Sequence, residues 1–495
     1  MKRYCFMMTG NSVWLDVAIE LYKNKVAKPV FWLGDDIHFE RANKIFKKGV
    51  HKMNDFVHYQ ADIETNYYNS QFIEFFKAPH YLRAKDRCMK MMDRLDMYGL
   101  FNRLDREVIF NKLAIWILKE IYDKDPEYLV MSEFAHSHSQ YLVYEICDYL
   151  GIKTAKFNDW GSILPMIFLQ NVKTGKRYSA RINYSDSLKY KLKTEVKRHV
   201  YDLANRKEDD NYLPNYIKSQ WQIDKFRNNY RNFINKKIYE FKFLFFLIRQ
   251  TFKDSYYKIN PYKFNIFQLN SIVQKRKKYL VKYCKQNSIF PDYYSKFVYF
   301  AMHFEPERTT NPDGGYFHDQ FLALIHLRNM LPKDIKIYVK EHPTQLKRLK
   351  IGIKGRSPLF YKLIKEIDNV FLVNVDSDTY ALTKNSLFVA TITGTAAREA
   401  AIMGRKALIF GDAWFNDCPN VFSWNKDLTF QKIMNEKVQT RESILNYLEY
   451  QLENFSIPGF QNPSSQKLFK NYQNKEFESA EFRGIYKLMK TFINT

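Results

Sequence analysis

The sequence is poor in the residues that build small disulfide-linked or metal-held folds. Its 495 residues include only five cysteines, and none of them forms the Cys-x-x-Cys spacing of a structural zinc site or a redox pair. An odd number of widely separated thiols predicts a reducing compartment. Glycine and proline are scarce, with 16 and 15 residues, and 46% of the chain is hydrophobic, which excludes collagen-like and disordered classes.

Long apolar runs are missing as well. Uncharged stretches reach only 13 residues, as at 160–172, whereas a helix needs about 20 to cross a bilayer. The short apolar run near Met1 ends at Asp16 without a signal-peptide core or a cleavage site. These absences predict an unprocessed cytoplasmic chain with, at most, peripheral contact with the inner membrane.

Positive charge, in contrast, is abundant. The 78 lysines and arginines exceed the 53 aspartates and glutamates by 25, and 17% of the residues are aromatic. A folded basic protein of this kind is expected to meet anions, and three fit: a nucleotide sugar, a glycan or lipid-linked glycan acceptor, and the inner membrane surface. Nucleic acid is disfavoured, because the charge is spread along the chain and no binding module is recognisable.

Alternating strands and helices predict two Rossmann-like domains. In the domain at 1–172, Ser12 is expected to cap the first helix of an open parallel sheet whose strands are 2–8, 29–33, 128–132 and 152–157. In the domain at 291–440, five strands are expected at 297–302, 335–339, 370–373, 387–391 and 406–410. The pattern predicts an α/β fold in which two doubly wound domains face a cleft where ligands bind.

Two further segments differ from these domains. Residues 173–290 are rich in lysine and aromatic residues, have no glycine after Gly175, and predict a basic helical insertion. Within it, 240–249 and the basic run 274–278 favour either peripheral contact with an anionic membrane or a core helix with a solvated basic flank. Residues 441–495 are expected to form helices that pack back across the domains.

The strongest motif is Thr-Ile-Thr-Gly-Thr-Ala-Ala-Arg-Glu-Ala, which begins at Thr391. A strand enters the turn Thr393-Gly394-Thr395, and the following helix offers free N–H groups and the positive end of its dipole, which predicts a phosphate site. Glu399, one turn into the helix, is placed to accept hydrogen bonds from a ribose. The Gly-Lys-Ser/Thr element of a P-loop is missing, and a strand-turn-helix without any ligand is the alternative.

A second motif, Tyr-Val-Lys-Glu-His-Pro, ends the next strand of the same domain. Lys340 and His342 lie on one side of the strand, and Pro343 turns the chain out of the sheet. We expect both side chains to contact the nucleotide, although a histidine at a strand end is often structural.

The loop after the first strand of this domain is dense in charge and in turn residues. It lies at the carboxyl ends of the strands, where a ligand is expected, and a solvated surface loop is the alternative. The candidate substrate contacts in it are His303, Glu305, Glu307 and Arg308.

Together, His-Phe-Glu-Pro-Glu-Arg-Thr-Thr-Asn-Pro-Asp-Gly-Gly from His303, Lys-Glu-His-Pro and Thr-Gly-Thr-Ala-Ala-Arg-Glu-Ala resemble the bacterial capsular polysaccharide biosynthesis proteins. That family includes Kdo transferases of capsule linkers, and it shares its His-Pro and Ser/Thr elements with bacterial sialyltransferases and polysialyltransferases. The likeness covers about residues 297–425. It implies a GT-B fold and a CMP-activated sugar whose phosphate is held by His342 and by Thr393 to Thr395.

The catalytic carboxylate is less clearly indicated. The acidic element of the family has its nearest counterpart in Asp159-Trp160-Gly161, where tryptophan replaces the second acid, and Glu133 is the other candidate. A capped turn without chemistry is the alternative for Asp159. Asp376-Ser-Asp378 looks like a helix cap and the histidines do not cluster, so neither a metal nor a cofactor other than the nucleotide sugar is predicted.

These motifs predict a GT-B glycosyltransferase of capsule or surface polysaccharide biosynthesis. It would transfer a Kdo- or sialic-acid-like sugar from a CMP donor to a glycan or glycolipid. Two alternatives stay open: a sugar-nucleotide epimerase on the same fold, and a non-catalytic capsule assembly or export factor.

Overall fold

The computed structural model describes residues 1–57, 70–94, 96, 99, 101–179, 181–205, 266–306, 309–347 and 352–495. Packing divides the chain into two compact units: the first is Met1–Met92, Asn102–His199 and Leu448–Thr495, and the second is Asp93–Phe101 and Val200–Tyr447. The domain boundaries at 172, 290 and 440 stay predictions. The candidate membrane segment 240–249 lies outside the described residues.

Strands alternate with helices through most of both units, which confirms the α/β prediction. The strands are β1 Lys2–Met7, β2 Ala27–Gly34, β3 Val50–Lys52, β4 Tyr128–Met131, β5 Lys153–Asp159, β6 Met166–Asn171, β7 Phe297–Ala301, β8 Lys336–Lys340, β9 Val370–Val373, β10 Phe388–Thr391, β11 Lys406–Ile409, β12 Val421–Ser423 and β13 Ile457–Pro458. The helices are α1 Ser12–Lys23, α2 Asp36–Phe46, α3 Met53–Val57, α4 Ser70–Lys77, α5 Pro79–Met92, α6 Arg103–Lys124, α7 His138–Tyr149, α8 Asp186–Ala204, α9 Ile266–Asn287, α10 Thr310–Asp313, α11 Gln320–Met330, α12 Pro343–Lys347, α13 Gly352–Gly355, α14 Pro358–Lys365, α15 Thr379–Asn385, α16 Thr395–Ile402, α17 Phe430–Asn435, α18 Arg441–Asn454, α19 Pro463–Leu468 and α20 Lys475–Ile493. Short 3₁₀ helices lie at Gly315–His318 and Lys470–Tyr472.

The first unit holds a seven-stranded sheet in the order β13-β6-β5-β4-β1-β2-β3. The predicted strands pair in parallel, β1 with β2 and β4, and β4 with β5. Two strands that the sequence pattern does not predict extend the sheet in antiparallel fashion, β6 beside β5 and β13 beside β6. The six residues between β5 and β6 are too few for a crossover helix, so β6 has to return antiparallel.

The second unit holds a six-stranded sheet in which every pairing is parallel, in the order β12-β11-β10-β7-β8-β9. Counted within this unit from the β9 edge, the strands run third, second, first, fourth, fifth, sixth. This is the Rossmann order. All five predicted strands are present within one residue of their expected bounds, and β12 is the additional strand.

Each unit has its own apolar core. In the first, Trp14 of α1 packs in the same cluster as Ile485 and Phe492 of α20. In the second, Leu280 and Cys284 of α9, a helix of the predicted basic insertion, join the cluster around the sheet. Within the described part of the chain, no helix combines the length and apolarity that crossing a bilayer requires.

The residues at helix ends follow local signals in most cases. Asp378 caps α15 by accepting a hydrogen bond from the N–H of Tyr380 at 2.8 Å, as predicted. The cap predicted for α1 is wrong, because the N-cap is Asn11 rather than Ser12, and the Asn11 side chain makes no capping hydrogen bond.

Candidate functional site

The carboxyl edge of the second sheet brings the three sequence motifs together. The strand order reverses between β7 and β10, and in open α/β sheets ligands bind at such a switch point. His303 follows β7 and Thr393 follows β10, so both lie at this point. His342 follows β8, the strand on the other side of β7.

The His303 ring holds the turn before α16. Its Nε2 accepts a hydrogen bond from the N–H of Thr393 at 3.1 Å and lies 3.1 Å from the hydroxyl oxygen of Thr391. A Cβ at position 394 would lie 2.8 Å from that hydroxyl oxygen and 3.2 Å from Nε2, so this close packing requires Gly394. Burial lowers the pKa of His303 to about 4, so the ring is neutral and carries its proton on Nδ1.

Helix α16 begins directly after this turn and directs the N–H groups of its first turn at the switch point. Its N-cap is Gly394, which has no side chain to satisfy them. The Thr393 hydroxyl oxygen is shielded from water and has no hydrogen-bond partner in the described structure. A buried hydroxyl without a partner is costly, and an oxyanion bound at the turn would supply one.

The two other predicted groups of this motif contact each other. The Thr395 hydroxyl donates to Glu399 Oε1 at 2.8 Å, as expected for residues four apart on a helix. Glu399 keeps further acceptor capacity for a ribose, whereas the proton of the Thr395 hydroxyl is already used.

The ring of His342 offers a further N–H donor at this edge of the sheet. The backbone N–H of Thr344 donates to His342 Nδ1 at 3.2 Å, so the neutral ring carries its proton on Nε2. Burial is the main cause that lowers the pKa of His342 to about 4, and the nearby positive charges of Lys340 and Arg356 lower it further. No residue that the structure describes accepts a hydrogen bond from this Nε2, which is therefore free to donate to a ligand.

A buried ion pair fixes the loops that carry both histidines. Arg356 Nε donates to Glu341 Oε2 at 2.7 Å, and the two side chains are 2% and 0% exposed. Arg356 Nη2 donates to the His303 carbonyl at 2.9 Å, and the Tyr361 hydroxyl donates to Glu341 Oε2 at 2.9 Å. Lys340, the neighbour of Glu341 on the strand, donates instead to the Thr379 hydroxyl at 2.9 Å.

The predicted substrate contact Glu305 is buried inside the loop network. Its Oε1 accepts from the Thr310 hydroxyl at 3.0 Å and from Gln320 Nε2 at 2.9 Å, and Gln345 Nε2 donates to its carbonyl at 2.8 Å. The carboxylate therefore joins the loop after β7 to its surroundings. Glu307 and Arg308 lie outside the described residues.

Sequence reasoning misses several residues that build this site. Arg356 and Gln320 occur in no recognisable motif and reach the site only through the fold. Gln345 follows the His-Pro element by two residues, and this proximity is a signal that could have identified it.

The two candidate catalytic carboxylates lie at the carboxyl edge of the first sheet. Asp159, the last residue of β5, accepts hydrogen bonds from the Gly161 N–H and the Ser465 hydroxyl, both at 3.1 Å, and burial raises its pKa. Glu133 follows β4, and its Oε1 lies 3.5 Å from His136 Nε2. Trp160, which stands where a second acid is expected, is a core residue whose indole N–H donates to Ser456.

Among the described residues, one group of histidine and acidic side chains is close enough to hold a metal: His80, Glu145 and Asp148. Arg83 donates to both carboxylate oxygens of Glu145, at 2.8 and 2.7 Å. A guanidinium so close to the candidate ligands opposes a cation, so this group is an ion-pair network.

Neither a family model nor a curated protein sequence matches the chain. Solved structures similar to it include KpsC of Thermosulfurimonas dismutans, a beta Kdo 2,7 transferase, with 10% identity over 72% of this chain and 88% of that chain at a TM-score of 0.30. The UDP-GlcNAc 2-epimerase of Methanocaldococcus jannaschii is 12% identical over 90% of this chain and 99% of that chain, with a TM-score of 0.23. Structural similarity at such low TM-scores does not support any conclusion about activity.

Proposed function

We propose that the chain is a glycosyltransferase of bacterial capsule or surface polysaccharide biosynthesis that takes a Kdo- or sialic-acid-like sugar from a CMP donor. The observation that carries the proposal is the group of neutral donors at the switch point of the second unit. This group comprises the first turn of α16, the Thr393 hydroxyl and the Nε2–H group of His342. Such donors suit the oxygens of a nucleotide phosphate.

The same donors would assist the transfer step. A hydroxyl of the acceptor forms the new glycosidic bond while the bond between the sugar and the CMP phosphate breaks, and the hydroxyl proton passes to a carboxylate, Asp159 or Glu133. Negative charge then develops on the departing CMP. N–H groups that already point at the phosphate stabilise this charge without having to reorganise.

A nucleotide panel tests the proposal. The protein is melted with CMP, CDP, UDP, GDP and inorganic phosphate, and CMP at 100 times its dissociation constant is expected to stabilise the protein by about 2.7 kcal/mol. Stabilisation by UDP or GDP alone would refute the CMP donor, and conversion of a UDP-sugar without transfer of its sugar to an acceptor would favour an epimerase. If no nucleotide stabilises the protein, the nucleotide role is wrong and an assembly factor becomes the better reading.

The proposal includes an anionic membrane surface as a partner, where a lipid-linked acceptor would be found. Helix α9 packs against α14, and Lys365 of α14 donates to Asn287 of α9 at 2.8 Å. Exposed cations and exposed apolar side chains share these helices and the loop after α9. They include Lys275, Arg276, Lys278, Lys282, Lys285, Lys362, Ile272, Tyr279, Phe290, Tyr294 and Leu359. Each cation near an anionic leaflet contributes about 1 kcal/mol.

Vesicle co-sedimentation tests this partner. The protein is expected to bind vesicles that contain phosphatidylglycerol and not vesicles of phosphatidylcholine alone. Replacing Lys275, Arg276, Lys278 and Lys282 with glutamine should weaken binding at least tenfold. The matched control replaces four exposed lysines of the first unit, Lys23, Lys25, Lys44 and Lys48, and should bind like the parent. Equal losses in both variants would show that only net charge matters and would refute this surface.

A further inference from the structure

A cavity of about 570 Å³ opens beside the start of α1 in the first unit. It lies at the carboxyl ends of β1 and β2, between the start of α1, the start of α2 and the first turns of α20. The walls that matter for its chemistry are formed by Asn11, Asp16, Lys475, Glu478, Glu481 and Phe482. Neither Asp159 nor Glu133 lines it.

The wall residue Asn11 has an acceptor that the protein does not use. Asn11 is 6% exposed, and its Nδ2 donates to the Phe460 carbonyl at 3.1 Å. Its Oδ1 is buried, does not cap α1, and has no hydrogen-bond partner among the residues with described positions. An acceptor buried without a donor is costly, so a donor from a ligand would be favourable here.

Glu481 places a second acceptor in the same wall. It is 5% exposed, and its Oε1 accepts a hydrogen bond from the Phe460 N–H at 2.7 Å. The peptide groups of Phe460 therefore orient both Asn11 and Glu481. No described group donates to Glu481 Oε2, and burial raises the pKa of this carboxyl to about 7. A buried carboxyl with a raised pKa in a cavity is typical of a binding or reaction site.

The charges of the walls decide the class of ligand. Asp16 is paired with Arg41 at 2.6 Å, and the other wall charges nearly cancel, because Lys475 faces Glu478 and the partly protonated Glu481, so the walls offer no excess of cations that would hold a phosphate or other anion. Hydroxyl groups satisfy acceptors such as Asn11 Oδ1, and they also accept from the N–H groups at the start of α1. The half-buried ring of Phe482 offers an apolar face. From these features we infer that the cavity binds a neutral saccharide through its hydroxyls, independently of any nucleotide bound in the second unit.

Titration with neutral sugars tests the inference. Saturation-transfer NMR on the full chain with D-glucose, D-galactose, N-acetyl-D-glucosamine and ribitol should show binding of at least one of them. Inorganic phosphate, the anionic control, should not compete. If none of the four binds, the inference is overturned, whatever the outcome of the nucleotide panel.

Two variants locate the binding. Ser479→Trp places a ring in the cavity from an exposed position and should abolish the signal, whereas Thr491→Trp, on an exposed position of the same helix outside the cavity, should retain it. Glu481→Gln should lower affinity about tenfold. Sugar binding that survives Ser479→Trp would show that the sugar binds elsewhere and would refute the assignment. Circular dichroism confirms that each variant is folded.

Discussion

Replacing His342 with alanine is expected to weaken CMP binding about 10- to 100-fold while leaving the melting temperature of the ligand-free protein almost unchanged. A hydrogen bond to a charged group is worth about 1.5–3 kcal/mol, and 1.4 kcal/mol is a factor of ten in affinity. The residue keeps some exposure to solvent, and its Nδ1 accepts a single backbone hydrogen bond, so the fold should tolerate the loss of the ring. Isothermal titration calorimetry with CMP measures the effect.

Two further variants separate the N–H of His342 from its bulk. His342→Gln keeps a side-chain N–H donor and should recover part of the lost affinity. His326→Ala removes an exposed histidine on α11 of the same unit and should bind CMP like the parent. Unchanged affinity in His342→Ala would rule out His342 as a nucleotide contact.

Replacing Arg356 with methionine is expected to destabilise the second unit by about 3–5 kcal/mol, which corresponds to a fall in its melting temperature of roughly 10 °C. The substitution leaves the fully buried Glu341 carboxylate without its cationic partner. It also removes the donor to the His303 carbonyl, so the turn that holds Thr393 loses support. Thermal unfolding followed by calorimetry measures the change.

Two control variants test whether the loss of stability in Arg356→Met comes from leaving the Glu341 charge buried without a partner. Combining Glu341→Leu with Arg356→Met removes both charges and should recover more than half of the lost stability. Lys362→Met breaks an exposed pair with Glu366, 3.8 Å apart, and should change stability by less than about 1 kcal/mol. If Arg356→Met melts within about 2 °C of the parent, the ion pair contributes little to the fold.

The parts of the site that a short stretch of sequence encodes could be predicted. The glycine of the Thr393-Gly394-Thr395 turn and the proline after His342 mark strand ends, and parallel strands bring their carboxyl ends to one edge of a sheet. These signals are enough to predict that both motifs lie at the same edge of one sheet. They did not reveal that His303 would accept a hydrogen bond from Thr393, because that contact joins residues 90 positions apart.

Other features depend on long-range packing and have no local signal. Charge density in the loop after β7 suggested exposed contacts, yet Glu305 is buried, because Gln320 and Gln345 supply the partners that a buried carboxylate and its backbone need. The strand β13 has only two residues and pairs with β6 about 290 positions earlier. No periodicity extends over so short a segment, so the sequence pattern could not predict it.

Helix α20 belongs to the first unit but follows the second unit in the chain. The first unit can therefore be completed only after the second unit has been synthesised. Ile485, Leu488 and Phe492 close the apolar cluster around Trp14, yet they follow the whole of the second unit in the chain. A nascent chain therefore holds the β1–β5 sheet with part of its core uncovered while the ribosome makes the second unit. Exposed apolar surface of this kind favours aggregation and chaperone binding. The nascent protein is therefore expected to be most prone to aggregation before α20 has been synthesised and the first unit is complete.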